Sequence, residues 1–276
     1  MQLIVNGDTI EKKEYLGRGD LVKVELPPQV KTIENWAFAQ CVNLREIAIP
    51  SGLEHLGKDV FQDCGRLERI IIYDCGDVDA LDKNDDRRQV LAGLTAAAFL
   101  TLDDIVLRQL SEVGTKEWLN NWDKACIEYI MKPDNAGFSP FLAGGEEDYV
   151  DKENNPEYYC HRIRRKKVDM VLMRLLAERY FSMDAEVRSE YVAYLGSLTG
   201  GVDENSNCEA LEALMECQNN VAECFKIYDT AELLDADVVD RLLDDTDDSN
   251  IELKALLLRK KGSMINEKDT WEAFEL

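Results

Sequence analysis

Leu21-x-x-Val24-x-Leu26-Pro27 returns as Leu44-x-x-Ile47-x-Ile49-Pro50 and again as Leu67-x-x-Ile70-x-Ile72-Tyr73, each copy 23 residues after the last. Between these segments the same register sets Val30 with Leu53, Ile33 with Leu56, Phe38 with Phe61 and Cys41 with Cys64. One step back places Leu3 under Leu26, Ile10 under Ile33 and Tyr15 under Phe38, so the first 20 residues read as a degenerate, capping repeat. A fixed period of this length marks stacked units, none of which buries its apolar face alone. Within each unit, alternate apolar residues give a short strand with one set of side chains inward. The proline then bends the chain, and the Ile/Leu and Phe positions of the second half close a coil. Alternation also assigns the outward side chains. Lys23, Glu46 and Arg69 form one row, Glu25, Ala48 and Ile71 the next, and Pro27, Pro50 and Tyr73 a third. Parallel rungs lie about 4.8 Å apart, so the first row alternates in sign up the ladder.

Ala37-Phe38-Ala39-Gln40-Cys41 and Val60-Phe61-Gln62-Asp63-Cys64 complete each unit before the next leucine. The whole pattern resembles the BspA-type leucine-rich repeats common in bacteria, with Val60 in place of the usual alanine. The resemblance covers residues 1–76, as two full repeats flanked by two partial ones. It implies a binding scaffold with nothing catalytic in the motif, and it directs recognition to the outward sheet face: Lys23, Glu25, Glu46, Ala48, Arg69, Ile71 and Tyr73. Tyr73, at the end of its row, is of the residue type enriched at binding hot spots. The competing reading of the Lys23–Glu46–Arg69 row is a surface ion-pair ladder worth ~0–1 kcal/mol per pair. Cys41 and Cys64, one coil apart, read as a thiol ladder in the core rather than a redox pair.

After Asp74 the period ends. A polar linker at 77–85 divides a leucine-rich repeat domain, 1–76, from an all-helical domain, 86–276. Helices are expected over 86–100, 102–112, 115–132 (capped by Thr115, with Trp118, Trp122, Ala125 and Tyr129 in one stripe), 156–181 and 184–198. Shorter ones follow at 207–217, 220–229, 236–244 and 250–261, capped at Asn207, Asp235 and Asn250 and closed by Gly262. Residues 133–156, with three prolines and Gly144-Gly145, read as a long loop. Asn250–Leu258 resembles the second half of an ankyrin-like helix pair, which implies helix pairing and no more. The fold class expected is α+β: a short β-coil of 23-residue leucine-rich repeats, its open end beyond Leu67–Tyr73 covered by the helices, the two parts one rigid body.

Composition narrows the function. The 276 residues carry 55 acidic against 32 basic side chains, net −23, a balance that repels nucleic acid and anionic lipid. Apolar runs such as Ala96-Ala97-Ala98-Phe99-Leu100 fall far below the ~18 residues of a membrane span. The opening residues lack a basic n-region and an apolar h-region, and none of the eight cysteines forms a Cys-x-x-Cys pair, so a cytoplasmic protein with reduced thiols is expected. Two histidines, His55 and His161, leave little for metal sites or nucleophilic triads, and no Walker, Gly-x-Ser-x-Gly or His-Glu-x-x-His motif occurs. Cys160-His161 are helical neighbours that cannot converge on one ion. Asp244–Asn250 fails the calcium-loop pattern, with Asn and Leu where Gly and Glu belong when the loop is counted from Asp245. Arg18-Gly19-Asp20 is read as a chance tripeptide in a turn.

One basic run interrupts the acidic chain, His161-Arg162-Ile163-Arg164-Arg165-Lys166-Lys167. Residues 158–188 hold eight Lys/Arg and four Asp/Glu, whereas residues 200–252 hold two basic against sixteen acidic. Mutual attraction of these segments, within one chain or between copies, is the expectation. The function expected is a non-enzymatic scaffold for a protein or peptide, without cofactor, metal or catalytic residue; nucleic acid and membrane are not expected partners, and the oligomeric state stays open. Two alternatives remain at this point. One is a hydrolase or transferase near the 133–156 loop, with Asp148, Asp151 and Glu153 as its carboxylates. The other is a phosphate or nucleic-acid binder using residues 161–167.

Overall fold

A computed structural model gives the fold and describes residues 5, 7–73, 85–102, 106–138, 155–200, 208–217 and 219–274. The expected linker lies outside these apart from Asp85. The chain forms two compact units, Met1–Tyr129 with Ala177–Met183, and Ile130–Leu176 with Asp184–Leu276. Compactness thus groups residues 86–129 with the strands, while the polar linker was expected to separate them.

In the first unit the apolar alternation produces short parallel strands. β2 (Lys23–Glu25), β4 (Glu46–Pro50) and β6 (Arg69–Tyr73) make one sheet, and β1 (Thr9–Ile10), β3 (Thr32–Ile33) and β5 (His55–Leu56) a second. Register is fixed by side-chain direction: Val24 lies beside Ile47 and Ile47 beside Ile70, all at most 1% exposed. A one-residue slip would turn every one of them outward. Tyr15, Phe38 and Phe61 stack in the core with ring centres 5.1 and 6.0 Å apart. Backbone turns recur in step, with left-handed φ at Lys13, Trp36 and Asp59, and again at Gly17, Gln40 and Asp63. Close stacking also explains Gly57, where a Cβ would meet the backbone nitrogen of Asn35 at 2.5 Å.

Helix α1 (Asp86–Ala97) starts where the Asp85 carboxylate accepts from the Arg87 N–H at 2.8 Å. It packs against β6, so that Leu91, Ala92 and Thr95 stand over Ile70, Ile71 and Ile72 and close that end of the sheet. The expected helix 86–100 gives way to a π-helical turn at Ala98–Leu102, and the expected 102–112 helix is only two 3₁₀ turns, Val106–Arg108 and Leu110–Glu112. Indole groups explain part of this. From α2 (Lys116–Ile130), Trp118 Nε1 donates to the Leu107 carbonyl at 3.0 Å and Trp122 Nε1 to the Leu94 carbonyl at 2.9 Å. Leu107 is itself fully buried, and the Trp118 indole gives its carbonyl a side-chain partner.

The second unit is helical: α3 (Pro156–Ala177), α4 (Ala185–Gly196), α5 (Glu209–Met215), α6 (Val221–Thr230), α7 (Ala236–Asp245) and α8 (Ile251–Phe274). Asp235 and Asn250 cap α7 and α8 as expected, accepting from Val238 N–H at 2.8 Å and Leu253 N–H at 3.3 Å. Asn207 falls outside the described residues. Gly262 does not end α8, which continues to Phe274; an interior glycine costs a helix only ~1 kcal/mol relative to alanine. α8 packs against α6 and α7, the helix pairing that the ankyrin-like resemblance implied. Among the described residues no helix is long and apolar enough to cross a membrane.

Candidate functional site

The ladder between β2, β4 and β6 brings six of the seven expected face residues into two adjacent rows. Lys23, Glu46 and Arg69 pair across one row, and Glu25, Ala48 and Ile71 across the next. The first row is not a plain surface ladder. Glu46 is 4% exposed, because Lys23 Nζ lies 2.5 Å from Oε1 and Arg69 Nε donates to Oε2 at 2.9 Å, and the two long side chains cover it. The carboxylate expected to face a partner is instead the buried anchor of two cations. Glu25 is exposed, and Ala48 and Ile71 are half-buried. Ile71 lines a small recess with Arg88, Leu91, Ala92, Thr95 and Val113, so α1 already occupies part of its surroundings.

Tyr73 reaches back across the third row. It pairs with Pro50, and its hydroxyl donates to the Leu26 carbonyl at 2.5 Å, spanning the sheet. The ring is pinned by the fold, which makes it a rigid wall of the face.

The core thiols behave as the ladder reading expects. Cys41 donates to the Tyr15 carbonyl at 3.2 Å and Cys64 to the Phe38 carbonyl at 3.1 Å, both fully or nearly buried. The neighbouring Cys41 thiol, followed by burial, pushes Cys64 far above the ordinary thiol range. In the turn at Arg18-Gly19-Asp20 the guanidinium grips its own neighbour through two bonds of 2.7 and 2.6 Å. That hydrogen bonding holds the Asp20 carboxyl down at about 2.

In the second unit the basic run finds acidic partners. His161 Nε2 lies 2.8 Å from Glu212, Arg164 Nε donates to Glu209 at 2.5 Å, and Arg165 Nη1 donates to Glu216 at 2.7 Å. Lys167, nearly fully buried, donates to Asp134 at 2.6 Å and to the Lys132 carbonyl at 2.5 Å. Glu209 is completely buried, and its Oε2 has no hydrogen-bond partner among the described residues. Sequence reasoning matched the two segments but not the individual pairs. The available signal was the 209, 212, 216 spacing, which puts three carboxylates on one face of α5. Asp134, at the edge of the 133–156 loop, carried no signal. Asp148, Asp151 and Glu153 lie outside the described residues. The Asp244–Asn250 stretch serves the chain itself: Asp247 accepts from Ser249 N–H at 2.8 Å, Asp248 pairs with Lys254 at 2.5 Å, and Asn250 caps α8.

No curated protein and no solved structure matches the chain. Residues 8–84 match the family model of the BspA type leucine rich repeat region, in 6 copies. With the strand ladders and the stacked Tyr15, Phe38 and Phe61 over those residues, the N-terminal part of the chain is a BspA-type leucine-rich repeat region, followed by a helical region.

Proposed function

We propose that the chain is a non-enzymatic interaction scaffold. Its N-terminal repeats form a short solenoid of 23-residue coils, and the outward face of the β2-β4-β6 sheet receives a protein or peptide. The observation that carries the reading is the ladder itself: three rungs put Lys23 and Arg69 around Glu46, with Glu25, Ala48 and Ile71 alongside, on the face that leucine-rich repeats generally use. Tyr73 walls one end of that face. A cytoplasmic setting fits the free cysteines, of which Cys41, Cys64, Cys126 and Cys224 are buried. The phosphate or nucleic-acid alternative is disfavoured because His161, Arg164, Arg165 and Lys167 already face carboxylates.

The test is comparative capture from host lysate with the wild-type chain and an Ala48→Arg variant, which adds bulk and charge in the middle of the face. A protein retained by the wild type and lost by the variant is the expected result. Equal retention of every captured protein overturns the assignment of this face.

A further inference from the structure

Two cysteines of the helical unit touch. Cys217 follows the last turn of α5, and Cys224 is the fourth residue of α6. Their sulfurs lie 3.2 Å apart, and the Cys217 thiol also sits 2.8 Å from the Asn219 carbonyl. Asn220, in a left-handed conformation at φ 61°, turns the connection so that its two ends meet. A disulfide requires about 2.05 Å between sulfurs, so the gap to close is about 1 Å. Rotation of the Cys217 side chain, which sits outside both helices, is of the right size to supply it.

We propose that Cys217 and Cys224 form a reversible dithiol–disulfide site, oxidised by a hydroperoxide. Exposure divides the roles. Cys217 is half-exposed and meets the oxidant, whereas Cys224 is 3% exposed and resolves the intermediate. Burial, followed by hydrogen bonding to Cys217, pushes the Cys224 thiol well above its ordinary range, which keeps it from acting first. In the first step the Cys217 thiolate attacks one peroxide oxygen. The O–O bond breaks, the leaving hydroxide takes a proton to become water, and Cys217 holds a sulfenic acid. Cys224 Sγ then attacks Cys217 Sγ, the S–O bond breaks, and a second water departs. Two thiols lose two electrons and two protons, and one hydrogen peroxide becomes two waters. An external dithiol reverses the reaction.

The other cysteine environments differ. Cys41 and Cys64 are also neighbouring thiols, but both are buried in the repeat core, at 0% and 5% exposure, away from an oxidant in solvent, and the Cys208 thiol faces the Glu212 carboxylate at 3.6 Å. Closure at 217–224 would tie the end of α5 to the start of α6. The two helices are already joined at their other ends by Tyr228 Oη donating to the Ala210 carbonyl at 2.6 Å, and the end of α5 is tied to the cap of α8 by Asn250 Nδ2 donating to the Met215 carbonyl at 3.1 Å.

The experiment uses the full chain, reduced, then treated with hydrogen peroxide, alkylated without reduction and cleaved after glutamate. Cleavage at Glu216 and Glu223 leaves Cys217 and Cys224 on separate peptides, apart from Cys208. The expected result is one joined 217–223/224–232 species and a fall in alkylated cysteines from eight to six, both reversed by dithiothreitol. Cys217→Ser should abolish the joined species with the fold intact by circular dichroism, and Cys224→Ser should leave a sulfenic acid at Cys217 that dimedone traps. The proposal is overturned if the wild-type chain keeps both thiols, or if Cys217 advances to sulfinic acid while Cys224 stays alkylated.

Discussion

The repeat region and the α3–α5 contact both set opposite charges against each other, and they do so on different principles. In the repeats the pairs join neighbouring rungs: Lys23 with Glu46, Glu46 with Arg69, Lys31 with Glu54, Arg45 with Glu68. All but Glu46 keep at least 40% of the side chain in solvent. At such exposure a pair is worth ~0–1 kcal/mol. In the helical unit Arg164 and Lys167 reach Asp134 and Glu209, far away in sequence, and their side chains are 16%, 2%, 30% and 0% exposed. Charge decorates the repeat core and forms part of the helical one. The repeats therefore depend on stacked apolar surface, and the helical unit depends on paired charge.

Removing the surface that covers the last rung tests the first half of that contrast and carries the largest effect. A chain ending at residue 76 loses α1, whose Leu91, Ala92 and Thr95 stand over Ile70, Ile71 and Ile72. Re-exposing such side chains costs ~1.5–3 kcal/mol each, in sum comparable with the stability of a small domain. The fragment is expected to aggregate or to melt without cooperativity in scanning calorimetry. A soluble fragment with a sharp transition would show that the repeat region sustains itself without the helix.

The second half is tested at Arg164. Arg164→Ala leaves Glu209 buried with neither oxygen paired, and halving a buried ion pair costs ~3–5 kcal/mol. Denaturant titration of the two variants should show Arg164→Ala/Glu209→Leu to be more stable than Arg164→Ala alone, since an apolar replacement removes the stranded charge. A loss below ~1 kcal/mol for Arg164→Ala would place this pair with the surface ladders instead.

How far the sequence could be read follows from the same contrast. Register, strand pairing and the Tyr15–Phe38–Phe61 stack were legible because each is fixed by a local period. Glu46 was assigned to the right row and given the wrong exposure, since alternation fixes direction but not how two flanking side chains fold over a third. The 102–112 segment has helical spacing, yet the Trp118 indole takes the Leu107 carbonyl, a partner that no local pattern announces. The charge asymmetry between 158–188 and 200–252 showed that these segments attract. It did not by itself select Glu209, Glu212 and Glu216 among sixteen carboxylates: their shared helical face narrows the choice, and packing makes it. Asp134 and the Cys217–Cys224 contact depend wholly on tertiary approach.

The exposure of the outer rows supplies the finest test, because two charge reversals on one face should behave differently. Arg69→Glu sets a carboxylate beside the buried Glu46, whose remaining cation is Lys23. Like charges directly opposite in a ladder are unfavourable, and solvent around the 40% exposed position 69 screens part of the repulsion. A loss of about 1–2 kcal/mol is expected, so weaker binding by this variant would mix folding with recognition. Glu25→Lys lies on the next row, exposed and opposite Ala48, where no buried charge answers to it. Its stability should stay within about 0.5 kcal/mol of wild type in chemical denaturation, as for surface positions without a special role. A Glu25→Lys loss as large as that of Arg69→Glu would mean that both rows belong to one structural charge network, and the distinction drawn between a structural first row and an open second row would fail.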